Sequence, residues 1–363
     1  MSFKTAEIPK ISYTSVESIS TEARSSFIFA LLFFLVFLTI TFLIPPRSGK
    51  LGYFAALKDK HHYLETVQSP KILFIGGSNL AFGLDSHLIE TTFHKPVVNM
   101  GICAPFGLRY ILEEVKDNIN PGDTVVIVPE YGILQNTVDG SPDLIHALEV
   151  YPPAGFFILR AYTRSPQAFF KLLDLIRSLP SAKWNAFYTI LSTMWQKGYY
   201  DPSLFINWEI SNQIGPDIRF YFDKHGDYFG HFGKPNLPFR PAWELVKSMD
   251  SEAANLINDF HNFATQRGAQ VVLIPPPVPS EYLTPSCCSP ISIASWPNQV
   301  LTVSILAKPK RYAFAAALFY QPPYHLNIAG RTIRTTLISE DLASYFSKTL
   351  KQSIFDDAKK VSL

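Results

Sequence analysis

Charge is scarce in this chain, and what there is of it balances. Charged residues make up 17% of the 363 positions, against roughly a quarter in ordinary soluble domains. The 32 Lys and Arg face 30 Asp and Glu, leaving a net charge of +2. With no basic excess to meet phosphates, nucleic acid is excluded as the expected partner. Cysteine is scarce as well, with only Cys103, Cys287 and Cys288. They form no CxxC or Cys/His spacing, so no zinc site is expected. Adjacent Cys287 and Cys288 are poorly suited to bridging each other. Cys103 can pair with either only if the fold brings the Cα atoms within about 7 Å. The redox compartment therefore stays open. No internal repeat is present. Apolar residues, by contrast, are plentiful: 47% of the chain is hydrophobic, with 29 Phe, and 28 Pro gather in apparent loops.

Part of that apolar excess is one segment. Residues 27–44, FIFALLFFLVFLTITFLI, hold no charge over 18 positions. As a helix the run would rise about 27 Å, close to the hydrocarbon thickness of a bilayer. It has no polar face, unlike a helix packed on a core. Only PPRSGK follows it, without a small-x-small cleavage pattern, so an uncleaved anchor is expected in place of a signal peptide. The expected organisation is a leader at 1–26, a transmembrane anchor at 27–45 that takes the lipid bilayer as partner, and a connector at 46–69. Lys4, Lys10 and Arg24 precede the run, while Arg47, Lys50, Lys58 and Lys60 follow it. That count slightly opposes export of the body.

A domain is expected over 70–350, with a tail at 351–363. Short apolar runs at 71–76, 97–100, 123–128 and 270–274 read as buried strands. Helical patterns occupy 84–92, 108–118, 251–267, 294–307 and 327–348. Strands alternating with helices predict an α/β fold with a mostly parallel sheet covered on both faces. The aromatic, Pro-rich stretch 132–250 is expected to be a helical and irregular insertion that caps this core.

In such sheets ligands bind beyond the carboxyl ends of the strands. The first strand runs into Gly76-Gly77-Ser78-Asn79, a tight turn that would set the Ser78 hydroxyl at the start of a helix. Ser78 could equally be a plain helix cap. The second strand runs into Asn99-Met100-Gly101, where Gly101 could offer a backbone N–H. The third runs into Pro129-Glu130-Tyr131. Near the C-terminus stands Tyr324-His325-Leu326-Asn327, with Asn327 a natural cap for the last helix. A serine needs a base such as His325, because its hydroxyl is a poor nucleophile near neutral pH. Asp223, His225, Asp227 and His231 match no metal-ligand spacing, and neither metal nor cofactor is expected.

GGSN after a first strand, NMG after a second and YHLNIAGR before a last helix resemble the SGNH/GDSL hydrolase superfamily. The likeness is nearest to membrane-anchored SGNH-like envelope proteins, the DltD-like and polysaccharide O-acyltransferase-like groups. It covers roughly 70–130 and 270–345. It implies a flavodoxin-like three-layer α/β/α core and acyl-ester chemistry on an envelope polymer. Ser78 would match the nucleophile, His325 the base, and Gly101 with the Ser78 N–H the oxyanion donors, with Asn79 lining the site. It also implies an exported body and a possible membrane acyltransferase partner. Two departures stand out. Gln321 and Pro322 occupy the usual positions of the acid. Glu130 occupies the usual position of an asparagine donor, and is itself the alternative acid. A non-catalytic protein that binds glycan or scaffolds an acylation complex on the same fold is the competing expectation.

Overall fold

The computed structural model describes residues 52–135, 137–177, 219–238, 249–283 and 301–361, with isolated positions between 25 and 36 and at 184. A central sheet of five parallel strands organises them. Its strands are β1 (Ile72–Gly76), β2 (Val97–Asn99), β3 (Thr124–Val128), β4 (Gln270–Leu273) and, two elements later, β6 (Ser304–Ile305). The order across the sheet is β2-β1-β3-β4-β6. Ile72 pairs with both Val97 and Thr124, and Val125 with Val271.

Every residue of β1 and β3 is buried. Because strand side chains alternate, the sheet feeds two separate cores. Leu73, Ile75, Val98, Val125, Ile127, Val271 and Leu273 face one, while Ile72, Phe74, Val97, Val126, Val128 and Val272 face the other. The first core is closed by α1 (Ala56–Thr66), α4 (Leu108–Glu113), α5 (Leu144–Val150), α6 (Ala154–Tyr162) and α8 (Ser251–Gln266). The second is closed by α3 (Ser86–Phe93) and the final helix, α9 (Ile328–Val361). Between β1 and α3 sits α2 (Ser78–Gly83), and a further helix, α7, spans 166–177. The expected three-layer α/β arrangement is thus observed: helices lie on both faces of a parallel sheet.

Several expected boundaries shift. The helix expected at 84–92 is α3 and starts at Ser86, because Asp85 caps it by accepting from Leu88 N. The helix at 108–118 stops at Glu113 and ends in a 3-10 turn at Lys116–Asn118. Of the helix expected at 294–307, the part up to 300 lies outside the described residues. The part inside is extended and supplies β6, because Ser304 and Ile305 complete the sheet edge beside Val272 and Leu273. The last helix runs past its expected end to Val361. Among the described residues no helix is long and apolar enough to cross a membrane. The expected anchor at 27–45 lies largely outside them; the positions described there are helical and exposed.

Four further short strands matter for the site. β5 (Val278–Pro279) pairs with β7 (Ala313–Phe314), and β8 (Phe319–Gln321) with β9 (His325–Leu326). The β8–β9 hairpin is antiparallel and sets Gln321 opposite His325. His325 had been expected in a loop. The hairpin replaces it because Phe319 and Leu326 are both fully buried and pair across it.

Candidate active site

The sheet order reverses at β1, whose neighbours β2 and β3 lie on either side of it. Doubly wound sheets open a crevice at such a point. Gly77 is the N-cap of α2 and Ser78 its first residue. Ser78 is therefore not the capping residue, and its hydroxyl is directed elsewhere. Its Oγ lies 2.8 Å from His325 Nε2. The other ring nitrogen, Nδ1, lies 3.0 Å from Gln321 Oε1. A carboxamide oxygen only accepts, so Nδ1 carries the hydrogen and Nε2 is left to accept from Ser78. Residues 247 positions apart thus form a hydroxyl–imidazole–amide relay.

The imidazole lies flat on Phe82, with ring centroids 4.1 Å apart and 9° between planes. Burial first, and the neighbouring His231 second, lower the pKa of His325 to about 3. Residues 321–325, His325 among them, keep partial contact with solvent at the open edge of the hairpin. The ring is neutral at ordinary pH, the form a general base needs. Among the described residues no carboxylate touches it, so the imidazolium formed on proton transfer gains little stabilisation.

Glu130, the alternative acid, does not reach His325. Its buried carboxylate accepts from Gly77 N at 3.0 Å and Asn79 N at 2.9 Å. These bonds hold the turn on both sides of Ser78. A Cβ on Gly77 would lie 2.4 Å from both carboxylate oxygens, so the carboxylate fills the space a side chain there would need. Burial pushes the Glu130 carboxyl above its ordinary value, against the N–H bonds from Asn79 and Gly77. Opposite it, fully buried Arg334 donates to Asn79 O and Asn79 Oδ1, each at 2.6 Å. Asn79 Nδ2 donates to Val128 O at 2.9 Å. Asn79 is therefore fully engaged in holding the turn.

Gly101 sits against this turn: a Cβ on it would lie 2.4 Å from Leu80 Cβ and 2.6 Å from Gly77 O. Its N–H, expected as an oxyanion donor, donates instead to Asn99 Oδ1 at 2.9 Å. The N–H of Ser78, at the first helical position, has no intrahelical acceptor. It is the donor this turn leaves for an oxyanion.

Sequence reasoning missed the groups that support the site. Asn99 donates to Leu80 O at 3.0 Å and to Asp227 Oδ1 at 2.8 Å. Asp227 also accepts from Ser86 N and Oγ, both at 2.6 Å, and from Arg331 at 3.0 Å. Lys60 donates to Asn99 O at 2.8 Å and Gly226 O at 2.6 Å, and burial lowers its pKa to about 7. A cavity of about 200 Å³ lies beside Lys60, Tyr63 and Asp223, and Ser78 is not among its lining residues. Segment 219–238 of the expected cap therefore folds onto the site, with Tyr228 N donating to Ala81 O at 2.8 Å. Of the Asp and His residues at 223–231, Asp223, His225 and Asp227 act through this network, with His225 pairing with Glu90 and Asp223, while His231 packs against Phe82, Tyr228 and Tyr320. No metal-binding group of His, Cys, Asp and Glu occurs among the described residues. Cys103 is a free thiol, and Cys287 and Cys288 lie outside the described residues. One signal for Arg334 was in the sequence: it stands four and eight residues before Ile338 and Leu342, both fully buried in the stripe of α9 that covers the sheet.

What the fold and site define is a parallel-sheet α/β protein with a serine–histidine pair at its topological switch point. No family model, curated protein or solved structure matches the chain.

Proposed function

We propose that this chain is an SGNH-type serine esterase or O-acyltransferase, tethered to a membrane by residues 27–45 with its body exported, acting on acyl groups of a cell-envelope polysaccharide or related polymer. The observation that carries the reading is the 2.8 Å contact between Ser78 Oγ and His325 Nε2. In the reaction Ser78 Oγ attacks the acyl carbonyl and His325 takes its proton. The Ser78 N–H holds the oxyanion. Collapse of the tetrahedral adduct expels the alcohol, which takes the proton back from His325, and leaves an acyl-serine. Water completes an esterase cycle; a sugar hydroxyl completes a transferase cycle. Gln321 keeps the ring in the productive tautomer without supplying charge.

One observation favours a second reading, a non-catalytic protein of the same fold that binds glycan or scaffolds an acylation complex with a membrane acyltransferase. Among the described residues His325 has no carboxylate partner, and Gly101 N–H is occupied. A serine-directed fluorophosphonate separates the two. The enzyme reading expects labelling of the full chain that Ser78→Ala abolishes and His325→Ala reduces strongly. Equal labelling of wild type and Ser78→Ala would exclude it.

A further inference from the structure

Exposed apolar side chains are concentrated in one part of the body. α6 turns Ala154, Ile158 and Ala161 into the core and Phe156 and Leu159 outward. Phe156 is 76% exposed and Phe170, on α7, 64%. Phe169 and Ile176 of α7 are exposed beside them in sequence, while Ala168 and Leu172 are buried. Both helices thus have a satisfied inner face and an aromatic or aliphatic outer one. Elsewhere in the described body, exposed large apolar residues are spread over 219–229 (Phe220, Phe229) and α9 (Ile328, Ile333, Leu350), which is ordinary.

Cations accompany this surface. Lys116, Arg160 and Arg164 share Glu113 and Asp117. Arg177 pairs with Asp174, and Lys171 is exposed. Lys116 and Glu113 are themselves buried, which leaves Arg160, Arg164, Lys171 and Arg177 reaching solvent against Asp117 and Asp174, in a chain that is otherwise nearly neutral. Exposed Phe, Leu and Ile among Lys and Arg is the composition of helices that lie in a membrane interface. Anionic headgroups attract Lys and Arg held near the membrane surface.

The position in the chain points the same way. α6 and α5 pack on α1: His61 stacks on Tyr151 at 4.3 Å and on Phe157 at 5.4 Å, and Tyr151 bonds Glu65 at 3.2 Å. α1 begins at Ala56, twelve residues after the uncharged run ends at Ile44. Extended chain of that length spans at most about 40 Å. The helix carrying Phe156 therefore packs on the first α-helix described after residue 44.

We propose that α6 and α7 form a membrane-seated face, with Phe156, Leu159, Phe169, Phe170 and Ile176 entering the headgroup–acyl boundary of a bilayer that contains anionic lipid. This face orients the body relative to the membrane. It rests on the reading of 27–45 as a tether and is independent of the Ser78 chemistry.

The test uses the full chain in phosphatidylcholine vesicles with and without phosphatidylglycerol. Spin labels go on Phe156→Cys, Phe170→Cys and, as a control, Ile333→Cys, with wild type carried through the same labelling to subtract native thiols. Collisions with dissolved oxygen and with a water-soluble nickel complex are read by electron paramagnetic resonance. Immersion in lipid raises the first and lowers the second. The expected result is immersion at 156 and 170 in vesicles containing phosphatidylglycerol, weaker immersion without it, and a water-exposed label at 333. Labels at 156 and 170 as open to nickel as the control would overturn the proposal. So would low collision with both reagents, which means cover by protein, whether residues 178–218 or a second copy. Carbonate washing separates the two readings. If the chain stays on the vesicles while both labels remain in water, only the docking face fails. If the chain washes off, the tether fails too.

Discussion

The two halves of the serine–histidine pair are supported in opposite ways. The serine turn is held by buried ionic groups: the Glu130 carboxylate on the N–H groups of Gly77 and Asn79, and the Arg334 guanidinium on the oxygens of Asn79. The histidine hairpin is held by neutral ones: Gln321 on Nδ1 and Phe82 under the ring. A carboxylate near such a pair usually steadies the imidazolium; here the nearby carboxylate steadies the nucleophile's backbone. Geometry and charge are thus separable supports, and this site has the first without the second.

The comparison breaks first at Arg334. Arg334→Met removes the donors from buried Asn79 O and Oδ1 and a cation near Glu130. A loss of about 3–5 kcal/mol is expected, read from urea unfolding. Glu130→Gln keeps the shape but leaves one backbone N–H facing a donor, with an expected loss of about 1–3 kcal/mol. The coupled variant sharpens the point. Gly77→Ala alone drives a Cβ against the Glu130 carboxylate, and Glu130→Ala should relieve part of that cost. The two free-energy changes should therefore be non-additive; strict additivity would mean Glu130 does not occupy the space beside Gly77.

On the histidine side, Gln321→Glu adds the missing charge. The expected outcome is a rise in ester turnover of about tenfold or more, since loss of the corresponding carboxylate can cost about 10⁴ in a serine triad. The acid limb of the pH–rate profile should move upward with it. Without that change the limb should lie well below pH 6, because the pKa of His325 is lowered to about 3. No ester turnover by either wild type or Gln321→Glu would favour the non-catalytic reading.

A smaller effect concerns stability. Burial lowers the pKa of His231 to about 4, first among its causes. Its folded value lies below the unfolded one, so the unfolded chain binds more protons between about 6.5 and 4. The stability it contributes is present above pH 6.5 and is lost as pH falls through that window. His231→Leu should flatten this part of the urea-midpoint curve. Least of all, Asn327→Ala removes the acceptor for Gly330 N and should cost about 1 kcal/mol.

The core of the fold was legible because each central strand is a short apolar run bounded by turn residues, and burial on both faces leaves no polar position to confuse the period. Ser78 and His325 were legible from their stations at a strand end and before a final helix. Asp227 was not, because its partners Ser86, Asn99 and Arg331 lie 141, 128 and 104 residues away. No local pattern marks such an acid. The extended course of 301–307 was missed for a related reason: an edge strand draws its stability from the neighbouring strand, so local helix propensity was overridden by pairing with β4.

Sequence alone determined the four central strands and which helix faces turn inward, since both follow from local periodicity and the removal of apolar surface from water. Only the tertiary structure decided that Gln321 meets His325 while Glu130 meets the serine turn. That assignment depends on where buried N–H groups need an acceptor, and a buried carboxylate goes to the donors within its reach, which chain order does not state.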